Sequence, residues 1–263
     1  VAVALGACTG GVGQNASPTP PHVFAIVMEN KSYEQALSGG FTASLASRYG
    51  LATNYHAITH PSVPNYLAMT SGQTWAVTDD SHHVLPNRDL GSQLTEAGVT
   101  WRAYMEGLGP AGCLDSPPPY DPGHNPFVFY GGQCPPNVVP FTELASDLAG
   151  EPSQFIWITP DDCHNTHNCP VSDGDVWLRE TVHLIMSSNA WKTGGILFIT
   201  WDEDDGSSRD NRILTLVVTP TLGHRVSSLA YDHYSLLATI EDLLGVARLA
   251  NARDARTMDD LVR

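Results

Sequence analysis

Basic side chains are scarce in this 263-residue sequence, which has 13 lysines and arginines against 28 aspartates and glutamates. The formal net charge of −15 argues against binding nucleic acid through a basic face, because few cations are available to neutralise phosphates. A phosphate-bearing substrate would also meet a repulsive field unless a bound cation reversed it locally. An anionic substrate therefore implies a metal ion in this protein.

Long apolar runs are also missing, and no segment after the N-terminus could span a bilayer. The apolar Val1–Ala4 leads to Cys8 and then to a tract rich in Gly, Ser and Pro that ends at Pro21. This arrangement resembles the end of a bacterial export signal with a lipobox-like cleavage site, at which Cys8 would be lipidated and tether the protein to a membrane. A free thiol at Cys8 is the equally weighted alternative. We expect residues 1–21 to be a signal remnant and flexible tether, and residues 22–263 to form one domain.

Cysteine is rare, and the four residues other than Cys8 fall into two pairs. Cys163 and Cys169 flank a short loop, while Cys113 and Cys134 flank a loop rich in Pro and Gly. Both pairs are typical of loop-closing disulfides in exported proteins. The sequence therefore predicts an extracytoplasmic protein, either secreted or a bacterial lipoprotein.

Four apolar segments predict buried strands, and they alternate with segments of helical pattern. The strands are expected at Val23–Met28, Gln154–Thr159, Gly195–Trp201 and Ile213–Val218. Solid apolar runs are typical of strands covered on both faces, so we expect an α/β fold with a mostly parallel central sheet and helices on both faces. Further expectations are a short strand at Leu51–Thr59, a long ordered loop at Gly107–Pro140, and helices at Pro64–Ser71, Leu90–Ala97, Phe141–Ala149, Asp175–Met186, His233–Leu244 and Ala255–Val262.

Polar side chains follow three of these strands where each strand ends. Glu29 and Asn30 follow the first, His164 lies just after the second, and Asp202 and Glu203 follow the third. Ligands in open α/β sheets bind at the carboxyl ends of parallel strands, so these side chains should converge on one rim. The four oxygen donors suit one divalent cation, and calcium, magnesium, manganese and zinc all remain open.

Ser62 lies between Pro61 and Pro64, which keep it out of a helix that begins at or after Pro64. Its local sequence favours an N-cap or turn role. A metal ion held by the acidic strand ends would instead lower the pKa of the Ser62 hydroxyl and orient it for in-line attack on phosphorus. We therefore interpret Ser62 as a nucleophile that is also a metal ligand.

Two histidines in polar loops are candidates for handling the phosphoryl group. We expect His164 to donate a hydrogen bond to that group or to protonate the leaving oxygen, with His124 as a second donor. His60 is expected to be structural, and His233 is expected to cap a helix because it follows Asp232 at a helix start.

Four short motifs together resemble a known family. They are Met28-Glu29-Asn30-Lys31-Ser32-Tyr33, Ser62-Val63-Pro64-Asn65-Tyr66, Thr200-Trp201-Asp202-Glu203 and Tyr231-Asp232-His233-Tyr234-Ser235. The combination is similar to the bacterial phosphoesterases that include acid phosphatases and non-specific phospholipases C, within the alkaline phosphatase superfamily. The resemblance implies an alkaline-phosphatase-like fold, a phosphorylated serine at Ser62, phosphate contacts from His124 and His164, and a metal ion bound by Glu29, Asn30, Ser62, Asp202 and Glu203.

The expected activity is hydrolysis of phosphate monoesters, and three alternatives remain. The first is a phospholipase C or another phosphodiesterase. The second is a metal-independent serine esterase, although no Gly-x-Ser-x-Gly motif surrounds Ser62. The third is a surface binding module in which the acidic rim holds a structural calcium ion.

Overall fold

The computed structural model describes Val1 and residues 20–263, so the predicted lipidation site at Cys8 lies outside the described residues. The strands are β1 (Val23–Met28), β2 (Gly50–Ala52), β3 (Tyr55–His56), β4 (Trp101–Met105), β5 (Val138–Pro140), β6 (Phe155–Thr159), β7 (Ile196–Trp201), β8 (Thr215–Val218), β9 (Arg225–Ser227) and β10 (Tyr231–Asp232). The α-helices are α1 (Tyr33–Leu37), α2 (Gly40–Ala46), α3 (Ser62–Ser71), α4 (Leu90–Ala97), α5 (Leu144–Ala149), α6 (Val171–Ser187), α7 (Asn189–Lys192), α8 (His233–Leu244) and α9 (Asp259–Val262).

Eight strands form one sheet in the order β5-β4-β6-β1-β7-β8-β2-β9. The five strands from β5 to β7 are mutually parallel, while β8 runs antiparallel to both β7 and β2. Every residue of β1, β6 and β7 is buried, so both faces of the central strands are covered. The predicted α/β fold with a mostly parallel sheet is confirmed.

The single strand expected at Leu51–Thr59 is instead two short strands, β2 and β3, because the chain leaves the main sheet after β2. The backbone carbonyl of Thr53 accepts a hydrogen bond from Arg212 Nε, and Asn54 Nδ2 donates to the carbonyl of Ser228. Both residues also keep a backbone bond, from Thr53 N to the carbonyl of Ser227 and from Tyr231 N to the carbonyl of Asn54, as the chain turns out of the main sheet. The following β3 pairs with β10 in a separate two-stranded sheet.

Several helix starts also differ from the predictions, and one of them is α6, which begins at Val171 instead of Asp175. Pro61, in an extended conformation, is the N-cap of α3, so Ser62 is the first helical residue rather than a turn residue or a cap. Pro64 is tolerated in this first turn, where a backbone N–H needs no helical partner. At the C-terminus, a 3₁₀ turn at Ala250–Arg253 precedes α9, which is limited to Asp259–Val262.

The long loop at 107–140 is ordered and carries a side chain to the carboxyl edge of the sheet. Disulfides join Cys113 to Cys134 and Cys163 to Cys169, as the spacing predicted. Two 3₁₀ turns, Pro122–His124 and Pro126–Val128, lie inside the loop and bury most of their side chains. The burial fixes His124 against the end of β1. Among the described residues, no helix has the length and apolar character needed to cross a membrane.

Glu241 in α8 provides a test of the core that is independent of the strand ends. Its side chain is fully buried; Oε1 accepts a hydrogen bond from Leu249 N, and Oε2 has no partner among the described residues. Burial raises the pKa of Glu241 to about 8 from a reference value of 4.5. The folded state therefore holds a proton that the unfolded state releases, and this stabilising contribution is lost as the pH rises from 4.5 through 8.

We expect Glu241→Gln and the parent protein to have equal free energies of unfolding near pH 5. At pH 9 the free energy of unfolding of the variant should be higher by about 1–3 kcal/mol. Urea unfolding at the two pH values measures this difference. Glu96→Gln, at an exposed position on α4, should show no such pH-dependent gain. Equal stability of Glu241→Gln and the parent at pH 9 would contradict the assignment.

Candidate active site

The ends of β1 and β7 bring two acidic residues side by side. The register pairs Met28 with Trp201, so Glu29 and Asp202 follow at the same level of the sheet. The backbone N–H of Asp202 donates to the Met28 carbonyl at 2.9 Å, and the backbone N–H of Asn30 donates to Asp202 Oδ1 at 3.1 Å. Glu29 and Asp202 are both fully buried. Each of the two apolar strands is therefore followed by a carboxylic acid side chain that is not exposed to water.

Ser62 joins this group from the first turn of α3. Its Oγ lies 3.2 Å from Glu29 Oε2, 3.5 Å from Asn30 Oδ1 and 3.4 Å from Glu203 Oε1. The structure thus brings together all five residues that the sequence pointed to as metal ligands: Glu29, Asn30, Ser62, Asp202 and Glu203. Three carboxylates, an amide oxygen and a hydroxyl form a donor set made only of hard oxygen atoms.

The electrostatics of this oxygen cluster, defined by Glu29, Asn30, Ser62, Asp202 and Glu203, fit a divalent cation. Burial, followed by the charge of Asp202, raises the pKa of Glu29 well above its usual value, and the same two causes raise the pKa of Glu203 to about 9. Asp202 Oδ2 is buried without a hydrogen-bond partner among the described residues. A cation would satisfy this oxygen and remove the repulsion between the carboxylates.

His124 lies against the oxygen cluster. Its Nε2 is 3.5 Å from Glu29 Oε1, its Nδ1 is 3.2 Å from Asp162 Oδ1, and its ring stacks on that of Tyr66. Burial alone would lower the pKa of His124, but the nearby carboxylates, Glu29 first, outweigh it and raise the pKa to about 10. His124 is therefore suited to donate a hydrogen bond to an anionic oxygen at neutral pH.

His164 lies on the same edge of the sheet but faces a different group of side chains. Its Nδ1 donates to Glu106 Oε2 at 3.0 Å, and its ring lies near that of Trp177. The imidazole beside His124 is that of His167, which is exposed and whose ring centroid lies 5.7 Å from that of His124. The role of His164 as a phosphate contact or proton donor stays a prediction, and His167 becomes a second candidate for it.

The loop that carries His167 is tied to the end of β1. Asn30 and Thr166 both adopt positive φ angles, 50° and 80°, which are unusual for residues other than glycine. Lys31 Nζ donates to the carbonyls of both residues, at 3.0 and 2.6 Å, and Thr166 Oγ1 donates to the carbonyl of Glu29 at 2.8 Å. These bonds hold the metal-ligand segment and the imidazole loop in one arrangement.

Residues 39–247, most of the chain, match the model of the Phosphoesterase family. The chain belongs to this family. It is 33% identical over 262 residues to a phosphatidylinositol-3-phosphatase of Mycobacterium tuberculosis, and the match covers 95% of this chain and 86% of that protein. An acid phosphatase of Aspergillus fumigatus is 27% identical over 246 residues, covering 86% of this chain but only 55% of the fungal enzyme. This phosphoesterase is therefore a phosphoric ester hydrolase.

Solved structures confirm the superfamily fold of this phosphoesterase. An alkaline phosphatase superfamily protein from Vibrio parahaemolyticus superposes with a TM-score of 0.66 at 12% identity, covering 94% of this chain and 72% of that structure. Murine ectonucleotide pyrophosphatase/phosphodiesterase 5 gives a TM-score of 0.63 at 8% identity, covering 89% and 99% of the two chains. At these identities the likeness extends to the fold alone.

Several residues that contact the oxygen cluster of this phosphoesterase were not predicted from the sequence. His60 Nδ1 donates to Glu203 Oε2 at 2.9 Å, and Asn65 Nδ2 lies 3.2 Å from the same oxygen. The Tyr66 hydroxyl donates to Glu29 Oε1 at 2.5 Å. All three lie within four residues of Ser62, and that proximity is the sequence signal that could have identified them.

The expected capping role of His233 is wrong, because Asp232 is the N-cap of α8 and accepts from Ser235 N. His233 is buried; its Nε2 donates to the Asp202 carbonyl at 2.6 Å, and its Nδ1 lies 3.1 Å from the Tyr55 hydroxyl. Burial lowers the pKa of His233 to about 4, so the ring is neutral and can accept from Tyr55. His233 thereby fixes the backbone that carries Asp202.

Proposed function

We propose that this phosphoesterase is a metal-dependent phosphomonoesterase with Ser62 as its nucleophile. The observation that carries the proposal is the position of Ser62 Oγ, within 3.5 Å of oxygen atoms of Glu29, Asn30 and Glu203. Such a hydroxyl shares its site with the carboxylates that would bind the cation. The names of the mycobacterial and fungal relatives, both phosphatases, favour monoesters over diesters as substrates.

The cation would be held by Glu29, Asn30, Asp202, Glu203 and Ser62, and when bound it would supply positive charge that lowers the hydroxyl pKa and offsets the anionic phosphate. Ser62 Oγ gives its proton to the carboxylate it donates to, Glu29, and attacks phosphorus in line, forming the Ser62 O–P bond as the P–O bond to the leaving alcohol breaks. His124 donates a hydrogen bond to a phosphoryl oxygen. His164 and His167, which is exposed beside His124, are the two candidates to give the leaving alcohol its proton. Water then hydrolyses the phosphoserine and restores the hydroxyl.

The proposed setting is outside the cytoplasm. The Cys113–Cys134 and Cys163–Cys169 disulfides support it, because reducing compartments disfavour such bonds. The second disulfide closes the loop that holds His167. We propose residues 22–263 as the phosphoesterase domain, with any tether supplied by the segment before it.

One screen tests the proposal against its alternatives. We expect an aryl phosphate monoester to be hydrolysed, the activity to be lost on dialysis against EDTA, and at least one of calcium, magnesium, manganese or zinc to restore it. Hydrolysis of a carboxylic ester that persists in EDTA would indicate a metal-independent serine esterase. Faster turnover of phosphodiesters or phospholipids than of monoesters would indicate a phospholipase C type of enzyme. If none of these substrates is turned over with any of these metals, the result would indicate a surface binding module.

A further inference from the structure

The two oxygen atoms of the Glu29 carboxylate have different surroundings. Oε2 lies 3.2 Å from Ser62 Oγ, on the side of the nucleophile. Oε1 accepts a hydrogen bond from the Tyr66 hydroxyl at 2.5 Å and lies 3.5 Å from His124 Nε2. Glu29 is fully buried, so its carboxylate is oriented by the groups packed around it.

The direction in which a glutamate carboxylate faces has to come from such contacts. Rotation about the last bond of the side chain, Cγ–Cδ, has broad preferences and no sharp energy minimum. A rotation of the Glu29 carboxylate would turn Oε2 away from Ser62 Oγ. In the described part of the chain, the Tyr66 hydroxyl is the one side-chain donor recorded with a hydrogen bond to Oε1. This bond therefore holds Oε1 and leaves Oε2 facing the nucleophile.

The fold places Tyr66 one helical turn after Ser62. Both residues belong to α3, and residues four apart lie on the same face of a helix. That face meets the end of β1, because both hydroxyl groups donate to the Glu29 carboxylate. The shared helix thus fixes the spacing at which the nucleophile and the tyrosine contact the two oxygen atoms of Glu29.

The ring of Tyr66 is held by two aromatic neighbours. It stacks on the His124 imidazole, with centroids 5.7 Å apart and ring planes 22° apart. It also lies near the ring of Trp157 in β6, with centroids 6.3 Å apart. Tyr66 and Trp157 are both fully buried. Because this packing restrains the ring, the hydroxyl keeps its direction toward Glu29.

Tyr130 provides a contrast, because its hydroxyl is also buried against α3. It lies 2.9 Å from Thr70 Oγ1, near the other end of the helix. That partner is a neutral hydroxyl, whereas Tyr66 donates to a carboxylate that contacts the nucleophile. The two tyrosines share their burial and their helix, and they differ in whether the bond leads to the oxygen cluster.

We infer that Tyr66 is a positioning residue for phosphoryl transfer: its hydroxyl holds Glu29 Oε1 and thereby keeps Oε2 directed at Ser62 Oγ. The inference rests on the proposed function, and it adds a residue that acts through Glu29 without contacting the phosphoryl group. In the proposed step the Ser62 proton passes to Glu29, while the Tyr66 O–H bond stays intact.

Tyr66→Phe tests the inference, because it removes the hydroxyl and keeps the ring that stacks on His124. At saturating metal we expect kcat for an aryl phosphate monoester to fall about 10- to 100-fold, the usual cost of losing a group that orients a metal ligand. KM should change by less than about twofold, since the hydroxyl orients Glu29 and does not bind substrate. Calorimetric titration of the apoprotein with the activating metal is a readout without turnover, and the metal affinity should fall by about tenfold.

The matched control is Tyr130→Phe, which also removes one buried hydroxyl that bonds to α3. It should keep the kcat and the metal affinity of the parent, and unfolding temperatures check that both variants are folded. A Tyr66→Phe enzyme with the kcat or the metal affinity of the parent, or with losses no larger than those of Tyr130→Phe, would overturn the positioning role and leave the proposed function standing. A parent enzyme that hydrolyses no aryl phosphate with calcium, magnesium, manganese or zinc would refute the proposed function, and this inference with it.

Discussion

Ser62→Ala is expected to reduce phosphomonoester turnover on the order of 10⁴-fold while leaving metal binding nearly intact. The variant lacks the oxygen that attacks phosphorus, and no other hydroxyl among the described residues is recorded in contact with Glu29, Asn30 and Glu203 together. Four of the five oxygen donors remain, and three of them are carboxylates. Steady-state kinetics with an aryl phosphate measures the first effect, and calorimetric titration of the apoprotein with the activating metal measures the second.

The matched control for this experiment is Ser71→Ala at the other end of α3. Ser71 is also buried, but its Oγ donates to the carbonyl of Leu67 and accepts from Trp75 Nε1, away from the oxygen cluster. Ser71→Ala should lower the unfolding temperature more than Ser62→Ala does, and it should change kcat by less than about twofold. A Ser62→Ala enzyme with a rate close to that of the parent would show that another group is the nucleophile.

The positions of the proposed metal ligands other than Ser62 could be predicted because they depend on the strands. An unbroken apolar run such as Val23–Met28 is stable only between two covered faces, which makes the strand central and places its first polar residue on the rim. The same reasoning applied to Ile196–Trp201 placed Asp202 beside Glu29. The prediction also requires the two strands to be parallel, and the alternation of strands and helices along the chain indicates that they are.

The imidazoles could not be placed in this way because they lie on loops. His164 and His167 are three residues apart in one disulfide-closed loop, and their directions depend on the left-handed backbone at Thr166. A β-branched residue seldom adopts that conformation, so sequence gives no warning of it. The bonds from Lys31 and Trp201 to Thr166 come from segments distant in the chain. Local pattern therefore identified the loop without indicating which ring lies beside His124.

The start of α3 was missed for a related reason. Two prolines around Ser62 predict a later helix start, yet Pro61 serves as the N-cap and Pro64 falls within the first turn. Asn65 supports this arrangement by accepting from the backbone N–H groups of Ile58 and Thr59 and donating to the carbonyl of Thr59. In the first turn of α3, Asp80 Oδ1 accepts a hydrogen bond from Val63 N at 3.0 Å. The consequence is functional, because Ser62 points at the carboxylates instead of at its own helix.

Asp202→Asn is expected to lower metal affinity by more than about 100-fold, and turnover with it, because it converts a buried anionic ligand into a neutral one. Asp202 Oδ2 has no hydrogen-bond partner among the described residues, so a bound cation would satisfy an oxygen that the protein itself leaves unpaired. Asp205→Asn is the matched control: that carboxylate belongs to the same acidic run but is exposed and bonded to Gln35 and Ser207. It should bind metal and turn over substrate as the parent does.

The same variant separates function from stability through its behaviour in EDTA. In the metal-free parent, burial and then the charge of Asp202 hold the pKa of Glu203 at about 9, above its reference value of 4.5. The folded state thus binds a proton that the unfolded state releases, and this contribution to stability is lost as the pH rises from 4.5 through 9. Removing the Asp202 charge reduces that loss, so we expect apo Asp202→Asn to unfold at a temperature equal to or above that of the apo parent at pH 8.

Adding metal should raise the unfolding temperature of the parent but not of the variant. Two results together would show that these carboxylates do not hold a cation. The unfolding temperature of the parent would be unchanged by EDTA and by added metal, and Asp202→Asn would keep full activity.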